Sequence, residues 1–308
     1  MWFKERRKQL EDFSRFGKAL ILTGDIDPQF WILRSLYSSQ KLDKNTAIWR
    51  TAVYLVYYHL GSAIKAWDLY PTPEIIKKKD WVEGIYYYKQ RRCFRGNNHA
   101  RDQLNTLLKN SDGDLVRWTE KAVGNGGEEG WTRVREAAAN LPYHGPWSSY
   151  KWCDLIKFVH GFPITAPDIG TKPGATAGPI AGLSSLTGLD WKRCSEDNSL
   201  HRDLLSCIID MGCPANGLDH LESILCNWQS LINGRYYTGH DIDRDCNQLL
   251  GTSGDHSDGL VSARKRIFDK RLLGEVGGWS EVRKNLNSVY RDRGRLVNDF
   301  PDIKKVKI

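Results

Sequence analysis

No run of apolar residues in this chain approaches the ~20 that a membrane-spanning helix requires. The longest, residues 52–63, is interrupted by His59 and rich in tyrosine, which suits a buried helix. The amino-terminal stretch is charged from Lys4 onward and lacks the apolar centre of a secretory signal. There is no CxxC pair. The seven cysteines (Cys93, Cys153, Cys194, Cys207, Cys213, Cys226 and Cys246) are odd in number, so neither a zinc site nor a disulfide framework is encouraged. A reducing cytoplasm suits them. Alternation of Val, Ile and Thr over four or more residues is scarce, which leaves room for little or no sheet. No Gly-Lys-Ser/Thr triplet closes a phosphate loop, and no strand–GxGxxG–helix context supports a dinucleotide fold. No repeat of solenoid period is present. Neither a metal nor an organic cofactor is expected from these patterns.

What is there is a basic and mainly helical chain. It has 308 residues, 40% hydrophobic and 27% charged, with a net charge of +8. The sequence pI is near 9.0. Such a balance suits a polyanion, because Lys and Arg gain affinity by releasing phosphate counterions. Basic residues concentrate at Lys77-Lys78-Lys79, at Arg91, Arg92 and Arg95, and at Arg264-Lys265-Arg266 with Lys270-Arg271. Twelve Trp and thirteen Tyr interleave with them, which serves stacking on extruded bases as well as it serves a core. Helical periodicity predicts helices over residues 3–19, 30–40, 46–66, 98–108, 115–123, 199–211, 218–232, 242–250, 259–273 and 279–295. The glycine-rich residues 124–130 suggest two helical lobes, 1–123 and 131–308, packed as one unit with a pocket between them.

Residues 130–168 are the most informative. Trp131, Val134, Ala137, Ala138 and Leu141 give a first helix one apolar face, and Pro142 with Gly145-Pro146 stops it. Trp147, Tyr150, Leu155 and Phe158 give a second helix its own stripe. The segment Leu141-Pro142-Tyr143-His144-Gly145-Pro146-Trp147 resembles the hairpin of the helix-hairpin-helix DNA glycosylase superfamily. That resemblance implies a glycosylase-like helical fold. It also implies backbone amides around His144, Gly145 and Trp147 that grip a DNA phosphate, and a catalytic Asp soon after the second helix. Asp168 lies 168 − 145 = 23 residues beyond Gly145, near that place. The plain alternative is an ordinary αα-hairpin with a surface Asp.

Two further segments carry chemistry. Residues 168–188 are rich in glycine, with Lys172, Pro173 and Gly174 in a loop that feeds a short helix. Exposed amides there suit a phosphate, and close packing explains the glycines equally well. Residues 217–243 place Leu218, Leu221, Leu225, Trp228 and Ile232 on one helical face. Asp219, Glu222 and Cys226 share another, followed by His220's neighbourhood and the acidic turn Asp241-Ile242-Asp243. Paired carboxylates can raise one member's pKa into the range of a general base, although acids also favour a helix's first turn for its dipole.

Taken together, residues 30–250 resemble the phage amino acid:DNA transferases, also grouped as α-glutamyl/putrescinyl-thymine pyrophosphorylases. The resemblance rests on Leu218-Asp219-His220 with Glu222 and Cys226, on Asp241-Ile242-Asp243, on residues 49–63 and on Arg91 to Gly96. Where that family carries Asn-Pro-Gly-Pro-Gly-Ala and then Arg-Gly-Leu, this chain has Lys172-Pro173-Gly174-Ala175 and Ala181-Gly182-Leu183. The resemblance implies a step in viral thymidine hypermodification, in the cytoplasm of an infected bacterium, that helps the genome evade restriction. A kinase phosphorylates hydroxymethyluracil in double-stranded DNA, and an amine (glycine, another amino acid or a polyamine) displaces the phosphate. Such a base must be flipped out to be reached. Asp168, Asp219 or Glu222, and then His220, are the candidates to deprotonate the amine, within an acidic group that includes Asp241 and Asp243. Arg91, Arg92, Arg95, Lys172 and the backbone around Gly174 would meet the departing phosphate. A route through a Cys226 thiolate adding to the pyrimidine stands beside direct displacement. A base-excising glycosylase using Asp168 and a non-catalytic DNA-binding module are the other readings.

Overall fold

Apolar periodicity becomes helix almost throughout the computed structural model, which describes residues 6–73, 97–171, 177–233, 235–236 and 238–249. Thirteen helices lie among them: α1 (Arg7–Thr23), α2 (Pro28–Ser39), α3 (Lys44–Tyr57), α4 (Leu60–Leu69), α5 (Asn97–Ser111), α6 (Leu115–Val123) and α7 (Gly127–Ala139), then α8 (Pro146–Phe158), α9 (Ala177–Thr187), α10 (Trp191–Glu196), α11 (Asn198–Asp210), α12 (Leu218–Ile232) and α13 (His240–Leu249). Among the described residues there is no strand, and a single parallel bridge joins Gly127 to Ile164. The fold is mainly helical, as the scarcity of alternating β-branched residues implies. The helices expected over 259–273 and 279–295 lie outside the described residues.

By internal contacts the chain divides into two units. The first comprises residues 1–28, 168–247 and 257–308, and the second residues 29–167 and 248–256. The glycine-rich residues 124–130 lie inside the second unit, where 124–126 join α6 to α7 and 127–130 form the first turn of α7.

In the first unit α1, α9 and α11 pack against α12 or its neighbours. Leu10, Phe13, Phe16 and Leu20 of α1 are fully buried. Phe13 and Phe16 close on the Trp228 ring at 5.5 and 5.8 Å. Such aromatic contacts supply much of a helical core's apolar burial. The α9–α12 contact is the tightest in the unit. A Cβ on Gly178 would stand 2.7 Å from Cys226 Sγ, and one on Gly182 would intrude on the Leu225 carbonyl oxygen. These glycines serve close packing.

In the second unit α3 is the hub, buried along nearly its whole length and packed on α4, α5, α6 and α8. Asp43 caps it, accepting the Thr46 amide at 2.9 Å. The single helix expected over residues 46–66 is in fact two. Tyr58 turns left-handed (φ 46°) to end α3, and His59 Nδ1 then accepts the Ser62 amide at 3.1 Å to start α4. The apolar pattern runs through the break because both helices bury the residues beside it. No proline marks the spot, and the nearby Gly61 already lies inside α4.

The expected hairpin is present in this unit. α7 ends at Asn140, and α8 begins with Pro146 at its first position after an extended Gly145. Trp131 of α7 meets Tyr150 of α8 edge-on at 5.2 Å. Within α8, Lys151 and Asp154 form a buried ion pair at 2.8 Å.

Candidate active site

The helix that carries Asp219 and Glu222 starts at Leu218, after Gly217, so both acids fall in its first turns. Neither is a solvated surface acid, at 2% and 3% exposure. Asp219 Oδ1 accepts the His220 amide at 3.1 Å. One turn on, Ser223 donates its hydroxyl to Asp27 Oδ2 at 2.6 Å and lies 3.2 Å from Glu222 Oε2. Asp27 comes from the turn between α1 and α2 and holds φ at 114°, a conformation that side chains rarely adopt. A strained carboxylate opposite a buried one is a feature of functional sites more than of plain scaffolds.

The same turn supplies Asp25, which is fully buried and faces the start of α13. Its Oδ1 accepts the amides of Asp241 and Ile242 at 3.1 and 3.0 Å, and its Oδ2 accepts the Gly239 amide at 2.6 Å together with the Tyr236 hydroxyl. Asp25 is thus the N-terminal cap of a helix more than 200 residues away. Burial and the nearby Asp241 push its carboxyl upward, against the pull of the Tyr236 hydroxyl and the Ile242 and Gly239 amides.

α13 adds two more acids to this face. Asp241 and Asp245 are four residues apart, and both are buried. Arg244 reaches both, at 2.8 Å to Asp241 and 3.0 Å to Asp245. His240 Nδ1 lies 3.1 Å from Asp241 and its ring stacks on Tyr236. Asp245 is 2% exposed, and its Oδ2 has no hydrogen-bond partner among the described residues. Burial first, and then Asp241 and Asp27, push its carboxyl up to about 7 in spite of Arg244. A carboxyl that titrates near neutral pH is a usable proton acceptor.

Carboxyls from three separated segments therefore form one connected cluster: Asp25 and Asp27, Glu222 with Ser223, and Asp241 with Asp245. Of the residues expected from sequence, Glu222 and Asp241 are in it, and Asp219 lies one turn before Glu222 on α12. Asp168 belongs to the same unit and is buried, and its Oδ1 accepts the Thr171 amide at 2.8 Å. Cys226 is half-buried against Gly178. Arg91, Arg92, Arg95, Lys172, Gly174 and the side chain of Asp243 lie outside the described residues. Among the described residues no three His, Cys, Asp or Glu are placed to hold a metal ion.

Sequence reasoning missed Asp25, Asp27 and Asp245. A signal for two of them exists. Gly24-Asp25-Ile26-Asp27 repeats the Asp-Ile-Asp of residues 241–243, and both follow a glycine closely. Asp245 is betrayed only by its spacing of four from Asp241.

The hairpin is a chemically different feature and lies in the second unit. Gly145 is exposed, its φ of −84° demands no glycine, and a Cβ there would meet nothing within 4 Å. Glycine is a common residue at this helix N-cap position, and here it leaves the start of the helix open. The hydroxyls of Ser148 and Ser149 fold back to the Gly145 carbonyl. His144 is held down to about 4 by burial, so it is neutral at physiological pH and brings no charge to a phosphate. Trp147 rests edge-on against Tyr58 at 4.8 Å, as part of the core wall.

A family model described as amino acid:DNA transferase matches residues 9–237. The chain belongs to that family. No curated protein matches it. In this transferase Asp25, Asp27, Asp168, Asp219, Glu222 and Tyr236 fall inside the matched span, as does the hairpin. The helix α13, with Asp241 and Asp245, follows it. No helix of the transferase, among the described residues, is long and apolar enough to cross a membrane.

Proposed function

We propose that this transferase joins a free amine, an amino acid such as glycine or a polyamine, to phosphorylated 5-hydroxymethyluracil in double-stranded DNA. The observation that carries the reading is the buried carboxyl cluster with one member poised near neutrality, within a family of that name. An amine is protonated at neutral pH and cannot attack until it loses a proton. Asp245 takes that proton, while Asp27 and Glu222 hold the ammonium by charge-assisted hydrogen bonds. A nitrogen–carbon bond then forms at the 5-methylene carbon. The carbon–oxygen bond to phosphate breaks, and both its electrons leave with the phosphate oxygen. The departing phosphate requires positive charge, for which Lys172, in the same unit as the carboxyls, is the candidate.

The hairpin takes the DNA backbone through the amides after Gly145, and the modified base leaves the stack to react. The reaction belongs to viral thymidine hypermodification in an infected bacterium, downstream of a hydroxymethyluracil DNA kinase. Direct displacement is favoured over a thiolate route because it needs only a base and positioning, whereas Cys226 is half-buried at the α9–α12 contact. Cys226→Ser is accordingly expected to keep turnover within about threefold, whereas loss of a covalent nucleophile costs orders of magnitude.

Incubation with DNA containing 5-phosphomethyluracil and a panel of amino acids and putrescine tests the reading. Amine-dependent phosphate release, with an aminated nucleoside detected by mass, supports it. Release of a free base, or phosphate release without amine, overturns it.

A further inference from the structure

The turn between α7 and α8 carries an aromatic ring that the mechanism above does not use. Tyr143 is half exposed, at 50%, the highest value for a large hydrophobic residue among those described. Its backbone is left-handed, with φ at 62°. That conformation favours glycine and burdens any side chain. A ring left half exposed in such a place gains little from burial to offset that burden. It is also braced: the His99 ring of α5 lies 4.0 Å away, centroid to centroid, at 49°. The next residue, His144, turns inward, and Gly145 beyond it leaves open space. Tyr143 is therefore a propped, outward aromatic two residues from the glycine assigned to the DNA backbone.

We infer that Tyr143, backed by His99, is a stacking platform for an unpaired base of the bound DNA. The inference rests on the DNA-modifying reading and adds to it a residue that holds the strand open. Aromatic rings stack on any base without sequence preference, so the ring favours unpaired over paired DNA and not one sequence over another. The exposed ring and the backbone amides after Gly145 then act on neighbouring parts of one strand, the base and its phosphate.

The test compares wild type, Tyr143→Gly and Tyr143→Phe on two duplexes, one fully paired and one with a single unpaired base. Glycine removes the ring and relaxes the left-handed backbone, so the thermal midpoint of Tyr143→Gly is expected to equal or exceed that of wild type. Its affinity for the duplex with the unpaired base is expected to fall about tenfold, the effect of one lost base–aromatic stack. Affinity for the paired duplex should hold, and Tyr143→Phe should match wild type on both. A Tyr143→Gly protein that binds the unpaired-base duplex as tightly as wild type overturns the inference alone. Wild-type protein that binds neither duplex overturns the DNA reading and this inference with it.

Discussion

Asp245→Asn is expected to lower turnover by about 10²–10⁴-fold, the range for loss of a general base, while making the folded chain more stable in mild alkali. The two effects share one cause. The Asp245 carboxyl is held at about 7 by burial and by its acidic neighbours. An acid whose pKa is higher folded than unfolded binds more protons in the folded state between those values. Stability contributed by this group therefore falls as pH rises from about 4 to about 7. Asparagine carries no such penalty. Urea unfolding at pH 8 should show the variant ahead by about 2–4 kcal/mol, with the gap closing toward pH 4. Wild-type turnover should rise with pH until it levels off just above neutrality. A variant that keeps the wild-type pH–rate profile would remove Asp245 from the mechanism.

The second large effect is expected at the contact between α9 and α12. Gly182→Ala drives a methyl group into the Leu225 carbonyl oxygen, which belongs to a helix backbone and cannot turn aside. The helices must part, at a cost of about 3 kcal/mol or more. Gly178→Ala meets the Cys226 thiol instead, at 2.7 Å, and a single sulfur at the end of a side chain has some room to rotate. Its cost should be nearer 1 kcal/mol. Equal shifts in the urea midpoint for the two variants would show that α9 is not seated on α12 as described. Because α12 carries Glu222 and Ser223, the larger displacement should also depress activity in whatever fraction remains folded.

Much of this was legible beforehand where one helix answers to its own residues. Periodicity alone marks Leu115–Val123 and Leu218–Ile232 to the residue, and a proline and a glycine bracket the hairpin. The break at Tyr58 was not legible, because its left-handed turn is imposed by packing on both sides. Asp219 and Glu222 stand out because the helical repeat stacks them. Asp25 is marked only by the repeated Asp-Ile-Asp, and its purpose, to satisfy amides at residues 239–242, is not written in any local spacing. Asp245 reads as one more polar residue on a short helix until burial singles it out. Local order was written in spacing, while the electrostatic site depends on which distant segments meet.

The carboxylate of Asp25 fastens two distant segments of a discontinuous unit, and this orders its folding during synthesis. Residues 29–167 leave the ribosome as one nearly uninterrupted block and can condense while translation continues. The first 28 residues cannot, because the partners of α1 are not made until some 200 residues later. Asp25 thus has to wait, its amide partners unmade, for the helix α13 whose first amides it will occupy.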